Sequence, residues 1–328
     1  MFNSQPLSVV LGLIFIYLIY SLLGSLITEI IATNFQIRNF VLKHAIKKML
    51  NDSAPSKERS FGSFFFKHPL IKALATGNFI SRSPSYIKSE TFSKVVLDLL
   101  RGKTIMAGES SCLAIEHSIN TCTIAWKADE AGPVTIAGDT KDYMQSIWAD
   151  SQGDTDKFRS LLEQWFNEMM DRATGWYKKY TQFILFVVGL SIAIIFNIDT
   201  VAIATKLHDN PALQEKVVGM AGTYLEKHPE SAEIIQAEIN ADTTGKNPKR
   251  FDTLLFKRAG EILDNEVEQS NNLLGLGWDK GMEKTAIPGW ILTALAISFG
   301  APFWFDLLNK LMQFRGPVAV KTAEPAKN

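Results

Sequence analysis

Cys112, His117 and Cys122 carry the side chains best suited to metal or thiol chemistry, and they follow one another at intervals of five positions. Ligands of a zinc site usually lie two to four residues apart, and positions five apart do not share a face of a helix. We therefore interpret the cysteines as free thiols beside an ordinary histidine, with no metal or other cofactor. The stretch GESSC at 108–112 has part of a nucleophile-elbow pattern, but it lacks the final glycine and a clear preceding strand. The sequence thus predicts no catalytic residue.

Glu29 and Asp306 are the ionisable residues nearest the interior of the apolar segments of the chain. An acid inside a membrane is a candidate for an ion or proton path. Lys178, Lys179 and Lys310 flank the same segments, and long basic side chains reach the membrane interface readily. We therefore favour an interfacial polar cluster of these five residues over an ion path.

Three apolar segments have the length and composition of membrane-spanning helices. The first, 7–27, has no charged side chain and as a helix would reach about 31 Å, enough to cross a hydrocarbon core of about 30 Å. No Lys or Arg precedes it and no small-residue cleavage site follows it, which favours a retained anchor over a signal peptide. The second is 183–198. In the third, 287–308, Gly300 and Pro302 predict a kink.

The distribution of charge predicts an orientation. The 34 basic and 34 acidic side chains cancel, which excludes the basic excess typical of nucleic-acid-binding proteins. Lys and Arg follow the first apolar segment, precede the second and follow the third. Such residues concentrate on the cytoplasmic side of a membrane. We therefore expect the bacterial inner membrane, with a periplasmic N-terminus, a cytoplasmic C-terminus and both cysteines in the cytoplasm.

The predicted fold is an all-α integral membrane protein with three transmembrane helices, a helical cytoplasmic domain and a smaller helical periplasmic domain. The segments are transmembrane helix 1 (1–33), the cytoplasmic domain (34–179), transmembrane helix 2 (180–200), the periplasmic domain (201–286), transmembrane helix 3 (287–309) and a cytoplasmic tail (310–328). Residues 104–150 have mixed periodicity, so we expect helix with an irregular connection there.

Apolar side chains at steps of three and four predict two amphipathic helices beside the membrane. The first extends transmembrane helix 1 as far as residue 50, and we favour its packing on the cytoplasmic domain over direct binding of anionic lipid. The second runs unbroken over 155–198, from the cytoplasmic domain into the second apolar segment. On this long helix we expect Trp165, Phe166, Met169 and Met170 to be buried and Glu163 to lie on the polar face.

Gly189 and Ala193 form a pair of small residues four positions apart in the second apolar segment. Such pairs let two membrane helices approach closely. We favour contact with another helix of the same chain. Because three membrane helices bury little surface alone, we also expect a homo-oligomer or an assembly with other membrane or periplasmic proteins.

Five blocks together resemble a widespread bacterial family of integral membrane proteins that has no established activity. The blocks are PSYI (84–87), WFNEMMDRATGWYKKYTQ (165–182), NIDT (197–200), LGLGW (274–278) and GAPFWFDLLNKLMQFRG (300–316). The resemblance implies bacterial origin and a membrane topology, and it adds no catalytic or ligand-binding residue.

These observations favour a non-enzymatic scaffold or assembly subunit that is anchored in the lipid bilayer and couples cytoplasmic and periplasmic partners. The first alternative is a subunit of an oligomeric pore or transport system, in which Glu29 and Asp306 would line a path. The second is a membrane-bound enzyme of unknown reaction. A nucleic-acid partner is not expected.

Overall fold

A computed structural model of the chain describes residues 5–50, 60–74, 84, 86–102, 111–124, 134–136, 138–227, 256–278 and 286–314. The described residues are mainly helical, as an all-α fold requires. In chain order the helices are α1 (Gln5–Asn34), α2 (Ile37–Met49), α3 (Phe61–Lys67), α4 (Pro69–Leu74), α5 (Ser89–Arg101), α6 (Ser111–Thr121), α7 (Gly138–Ser151), α8 (Thr155–Ile195), α9 (Thr200–Asp209), α10 (Pro211–Lys227), α11 (256–274), α12 (Ala286–Ser298) and α13 (Ala301–Phe314). Helix α11 contains a π-helical turn at Leu263–Val267.

Within residues 104–150, whose periodicity is mixed, the described parts are α6, α7 and a short pair of strands. Strand β1 (Thr123–Ile124) pairs antiparallel with β2 (Val134–Thr135). The predicted irregular connection therefore includes two extended segments between the helices. Residues 125–133, which join the strands, lie outside the described part of the chain.

The chain folds into two compact units. The central unit is Ala32–Lys179, and the discontinuous unit combines Met1–Ile31 with Tyr180–Asn328. Helix α8 contributes residues to both units because it continues across the boundary at 179 without a break. The boundary of the central unit lies close to that of the predicted cytoplasmic domain, whereas its cellular location stays a prediction.

The core of the central unit forms around α5, whose apolar residues recur at steps of three and four and are buried on nearly every side. Phe92 of α5 stacks on Phe166 of α8 with ring centroids 4.8 Å apart, and its ring lies 5.3 Å from that of Phe65 in α3. These three aromatic rings join α3, α5 and α8 into one apolar cluster.

Helix α8 is 41 residues long and begins where Asp154 accepts hydrogen bonds from the backbone N–H groups of Asp156 and Lys157. It ends at Ile195, three residues before the predicted end at 198. Asn197 beyond it has a left-handed φ of 50°.

On the part of α8 that belongs to the central unit, the buried side chains are Phe158, Leu162, Phe166 and Ala173. Of the residues predicted to be buried, Phe166 is buried, whereas Trp165, Met169 and Met170 are half-buried at the edge of this face.

The predicted continuous extension of the first helix is wrong. Helix α1 ends at Asn34, Gln36 adopts a left-handed φ of 50°, and α2 begins at Ile37 as a separate helix. A left-handed residue cannot continue an α-helix, so α1 and α2 are two separate helices. The buried face of α2 packs on the central unit through Val41, Ala45 and Ala173 of α8.

Helix α1 lies at the centre of the discontinuous unit. Of its most apolar stretch of 18 residues, 72% are buried against other parts of the protein. Phe15 contacts Tyr224 of α10, and Leu26 contacts Ile262 of α11. Helices from the segment 201–286 therefore pack along α1, and the predicted periplasmic location of that segment stays a prediction.

Two of the described helices, α1 and α8, are long and apolar enough to cross a membrane. Helices α12 and α13 pass the same test as a pair, which gives up to three spans. They meet at an angle of 90°, and Gly300 between them has a φ of 85°. The kink predicted from Gly300 and Pro302 is thereby confirmed.

Candidate functional site

Polar side chains from α1, α9, α12 and the turn after α8 meet inside the discontinuous unit. Asp199 starts α9 by accepting hydrogen bonds from the backbone N–H groups of Val201 and Ala202, at 2.8 and 3.2 Å. Such an N-cap satisfies donors that the first turn of a helix leaves unpaired. We call the group the polar junction; its members are Tyr17, Asn197, Asp199, Thr200, Trp290 and Thr293.

Asn197 connects the end of α8 to two other segments. Its Nδ2 donates to the backbone carbonyl of Gly277 at 2.8 Å, and its Oδ1 accepts from Trp290 Nε1 at 3.2 Å. Trp278 Nε1 donates to the carbonyl of Ile195 at 3.1 Å, at the open end of α8. The two tryptophan rings lie 5.7 Å apart. The turn after α8 is thus fixed to α12 and to the turn after α11.

Thr293 is the central hydroxyl of the polar junction, and it is fully buried. Its Oγ1 lies 2.7 Å from the carbonyl oxygen of Ile198, 2.9 Å from that of Gly289 and 2.8 Å from Oγ1 of Thr200. Tyr17 of α1 donates to Thr200 Oγ1 at 3.0 Å. Hydrogen bonds therefore run from α1 through α9 to α12.

Gly289 allows Asp199 to sit against α12. A Cβ atom at position 289 would overlap the carboxyl group of Asp199 and would lie 3.1 Å from its Cα, so a larger residue there would displace the Asp199 side chain from its capping position. The close approach buries Asp199 to 4% exposure. Its carboxylate serves as a helix cap, which is a structural role.

The hydrogen bonds of the polar junction hold helices together. Hydroxyl, amide and indole groups donate to carbonyl oxygens, and no hydroxyl in it is paired with a side-chain base that would activate it. The sequence analysis covered this turn only through the block NIDT (197–200), and it missed Tyr17 and Thr293. A signal for Thr293 was present, because it is the one hydroxyl in the apolar stretch 287–297.

The predicted interfacial polar cluster is spread over three helices. Glu29 is half-buried on α1, Lys178 and Lys179 are exposed on α8, and Asp306 and Lys310 are exposed one turn apart on α13. Among the described residues, no ion pair within 4.0 Å joins Asp306 to Lys310. The cluster as a whole stays a prediction.

Small residues bring three helices together at Ile297 of α12. A Cβ at Gly189 of α8 would lie 3.0 Å from Cγ2 and 3.1 Å from Cβ of Ile297, and one at Gly24 of α1 would lie 3.1 Å from the same Cγ2. Ala193, one turn from Gly189, is fully buried beside Trp290. Gly189 and Ala193 thus face another helix of the same chain.

Glu163, which was predicted to lie on the polar face of α8, is half-buried and contacts another helix. Its Oε1 accepts from the buried Ser93 hydroxyl of α5 at 2.7 Å and from Arg159 Nε at 3.1 Å. Helical periodicity assigned the face of Glu163 but not its neighbour on α5, since a residue at the edge of an apolar stripe can reach an adjacent helix.

His68, between α3 and α4, is buried. Its Nδ1 accepts from the backbone N–H of Leu70 at 3.3 Å, and its Nε2 lies 3.8 Å from Oδ2 of Asp98. Burial lowers the pKa of His68 below 6.5; the Asp98 carboxylate opposes this effect, and Lys94 adds to it. The histidine therefore resists protonation in the folded chain.

Neither cysteine forms a disulfide, and both are half-buried, at opposite ends of α6. Cys112 Sγ donates to the carbonyl of Gly153 at 3.2 Å, and Cys122 Sγ donates to that of Ile119 at 3.3 Å. His117 between them is exposed. Among the described residues, no group of three or more His, Cys, Asp or Glu side chains is placed to hold a metal ion. The start of GESSC lies outside the described residues.

Comparison with known proteins gives no relative. No family model matches the chain, and no curated protein or solved structure matches it. Membership of the bacterial membrane-protein family that the five blocks resemble therefore stays a prediction.

Proposed function

We propose that the protein is a non-enzymatic scaffold or assembly subunit, anchored in a bacterial inner membrane and binding partners through both of its units. The observation that carries the proposal is α8, a single helix of 41 residues that belongs to both units. A helix without a break transmits position and force between the parts that it joins, whereas a flexible linker does not.

The polar junction supports this function because its polar groups are used to fasten helices. Tyr17, Thr200 and Thr293 bond to each other and to backbone carbonyls. Binding or catalysis would instead need polar groups that converge on an open space. A membrane anchor requires helices that are held together in this way.

Exposed apolar side chains outside the candidate spans support a role in assembly. Tyr86 is 69% exposed and Leu113 56% exposed in the central unit, and Phe256 is 60% exposed in the discontinuous unit. Single exposed apolar residues are common, so these three positions serve as probes of partner surfaces rather than as evidence of one.

The proposal is tested by photo-crosslinking in cells that produce the full-length protein. A photoreactive amino acid is placed singly at Tyr86, Leu113 and Phe256, with exposed Glu116 and Gln269 as polar control positions. A scaffold gives discrete crosslinks to other polypeptides from at least one position in each unit. Crosslinks to lipid or to the same chain alone would refute it.

The proposed orientation has a separate test. In our proposal Asp209 lies on the periplasmic side and Lys88 on the cytoplasmic side, and both are exposed. In a variant whose own cysteines are replaced by serine, a cysteine at 209 reacts with a membrane-impermeant maleimide in intact cells, and one at 88 reacts only after lysis. The reverse pattern would invert the orientation.

A second candidate function, a subunit of an oligomeric pore, is favoured by one observation. Helices α10 and α11 pack on α1 along the part of it that would cross the bilayer, and their other faces expose charged residues. Examples are Glu215 and Lys216 on α10 and Glu268 on α11. Charged faces at this depth require water or another protein, because lipid does not tolerate them.

The flux of small ions out of vesicles that contain the protein distinguishes a pore from a scaffold. A pore releases a trapped small anion or cation faster than vesicles that hold a heat-denatured sample, and cysteines at 215 and 268 then block the flux after labelling. A scaffold gives vesicles as tight as the protein-free control.

A further inference from the structure

Helix α2 begins close to the layer of lipid headgroups, if α1 spans a bilayer as in the proposed function. Helix α1 continues from Ile27, the end of its apolar segment, to Asn34, which adds about 10 Å at 1.5 Å per residue. The interfacial layer extends about 5–8 Å beyond the hydrocarbon core. Helix α2 begins three residues later, so its first turn lies at or just outside this layer.

One face of α2 is fully used by the fold. The buried residues of the helix are Asn39, Val41, Leu42, Ala45, Ile46 and Met49. They contact Ala173 of α8 and the aromatic core around Phe61 and Phe65. The packing expected from the sequence is therefore present, and it leaves the opposite face of α2 available.

That opposite face combines aromatic and basic side chains. Phe40 is 62% exposed, and its ring stacks on His44 at 6.2 Å. Lys47 is exposed one turn further along, and Lys48 is exposed with its Nζ 5.0 Å from the ring centre of Trp176. Helix α2 contains no acidic residue that could neutralise these charges.

Two further side chains, Phe35 and Arg38, extend this surface towards α1 and α8. Phe35, in the turn before α2, is 71% exposed. The guanidinium of Arg38 lies 5.4 Å from the ring centre of Tyr177. We call Phe35, Phe40, His44, Lys47, Lys48 and Trp176 the α2 face.

We propose that the α2 face binds the headgroups of anionic phospholipids, with Phe35 and Phe40 inserted at the boundary of the acyl chains. Helices that lie in the interface pair aromatic anchors with Lys and Arg, because the anchors gain from burial and the bases gain from the negative lipid surface. A soluble acidic protein would match the charge but would have to cover two phenylalanines located directly after a membrane span. The headgroup layer matches the charge, the aromatic anchors and the position.

Lipid binding is measured on the full-length protein in a neutral detergent by native mass spectrometry. Phosphatidylglycerol and phosphatidylcholine with identical acyl chains are titrated separately. The wild type binds phosphatidylglycerol more tightly, and 0.5 M salt removes most of the difference. Lys47→Gln with Lys48→Gln lowers the affinity for phosphatidylglycerol about twenty-fivefold, at about fivefold per lysine.

A matched control carries the same change of charge elsewhere on the central unit. Lys72 and Lys88 are exposed and lie outside α2, so Lys72→Gln with Lys88→Gln leaves the affinity within twofold of wild type. Phe40→Ala weakens binding of both lipids, whereas Tyr86→Ala, at an equally exposed aromatic residue, weakens neither. Circular dichroism confirms that every variant compared is folded.

Three results would overturn the proposal: equal affinity of the wild type for the two lipids, equal losses in the two lysine pairs, or no loss in the Lys47 and Lys48 pair. Polyglutamate that binds through the same two lysines, without a preference for phosphatidylglycerol, would assign the face to an acidic protein and would also overturn it. A separate experiment tests the proposed membrane anchoring. If it fails, alkaline carbonate without detergent extracts the protein from membranes.

Discussion

The packing of α8 on α12 predicts opposite effects for the same substitution at two glycines of one helix. Gly175 has open space around it, so Gly175→Ala adds only helix propensity and raises the free energy of unfolding by about 1 kcal/mol. Gly189 faces Ile297, where a new Cβ would lie 3.0 Å from Cγ2 and 3.1 Å from the branched Cβ. Gly189→Ala gains the same propensity but is expected to lose more than it gains.

The loss of stability in Gly189→Ala depends on whether the atoms of Ile297 can move away from the new Cβ. The Cβ of Ile297 is attached to the backbone of α12, and the side chain is fully buried, so relief of the contact requires displacement of a helix. Overpacking of this kind costs about 1–3 kcal/mol. Because the propensity gain is common to both variants, Gly189→Ala should be less stable than Gly175→Ala by that amount, or roughly 2–4 °C in melting temperature per kcal/mol.

The assay is thermal unfolding in one detergent at one protein concentration, followed by far-ultraviolet circular dichroism. A double-mutant cycle assigns the loss to the proposed contact. Ile297→Ala alone costs about 2–5 kcal/mol, and combined with Gly189→Ala it should cost less than the sum of the two, since the contact with Cγ2 is then absent although that with Cβ remains. Equal melting temperatures for the two glycine variants, or additive losses in the cycle, would refute the close packing of α8 on α12.

Three further changes test other parts of the structure by the same unfolding measurement. Phe166→Ala should cost about 3–5 kcal/mol because the side chain is buried, whereas Asn167→Ala, at the exposed neighbouring position, should cost under about 0.5 kcal/mol; similar losses would mean that this face of α8 is not packed. Thr293→Val should cost about 1–3 kcal/mol because the carbonyl oxygen of Ile198 loses its hydroxyl donor, and the exposed Thr205→Val should be nearly neutral; the opposite ranking would remove Thr293 from the junction. The buried His68 has a folded-state pKa below 6.5, so the unfolded chain binds more protons and wild-type stability should fall as the pH drops below about 6.5, while His68→Gln should show a flatter profile; parallel profiles would contradict this.

Sequence patterns predicted the elements whose cause is local. The kink of the third apolar segment followed from Gly300 and Pro302, and α8 starts at Thr155, the predicted start of the long helix, where Asp154 caps it. Helix periodicity also located the buried face of α8, with Phe166 on it. In each case the residues that determine the feature lie within a few positions of it in the chain.

Features that depend on distant neighbours could not be predicted in this way. The contact of Glu163 with Ser93 joins residues 70 positions apart, and that of Thr293 with the carbonyl of Ile198 joins residues 95 apart. The break at Gln36 is a related case: its left-handed conformation is uncommon for glutamine, and no glycine or proline marks the position. Periodicity continues through the break because both helices have apolar faces.

The burial of α1 shows why hydropathy alone does not tell whether an apolar helix faces lipid or the interior of the protein. Helix α1 has a higher mean hydropathy than α8, 2.4 against 1.5, yet 72% of its apolar window is buried in the protein and only 28% of that of α8 is. Several exposed apolar side chains lie on α8 and α12, where Phe183, Val187, Ile291 and Leu295 are each at least 45% exposed, whereas on α1 it is Val10 that reaches 45%. Lipid contact is therefore expected mainly on α8 and α12, with α1 as the element on which the other helices pack. Brominated lipid should accordingly quench a lone tryptophan at 291 strongly and one at the buried position 18 weakly, and the reverse order would mean that α1 faces the bilayer.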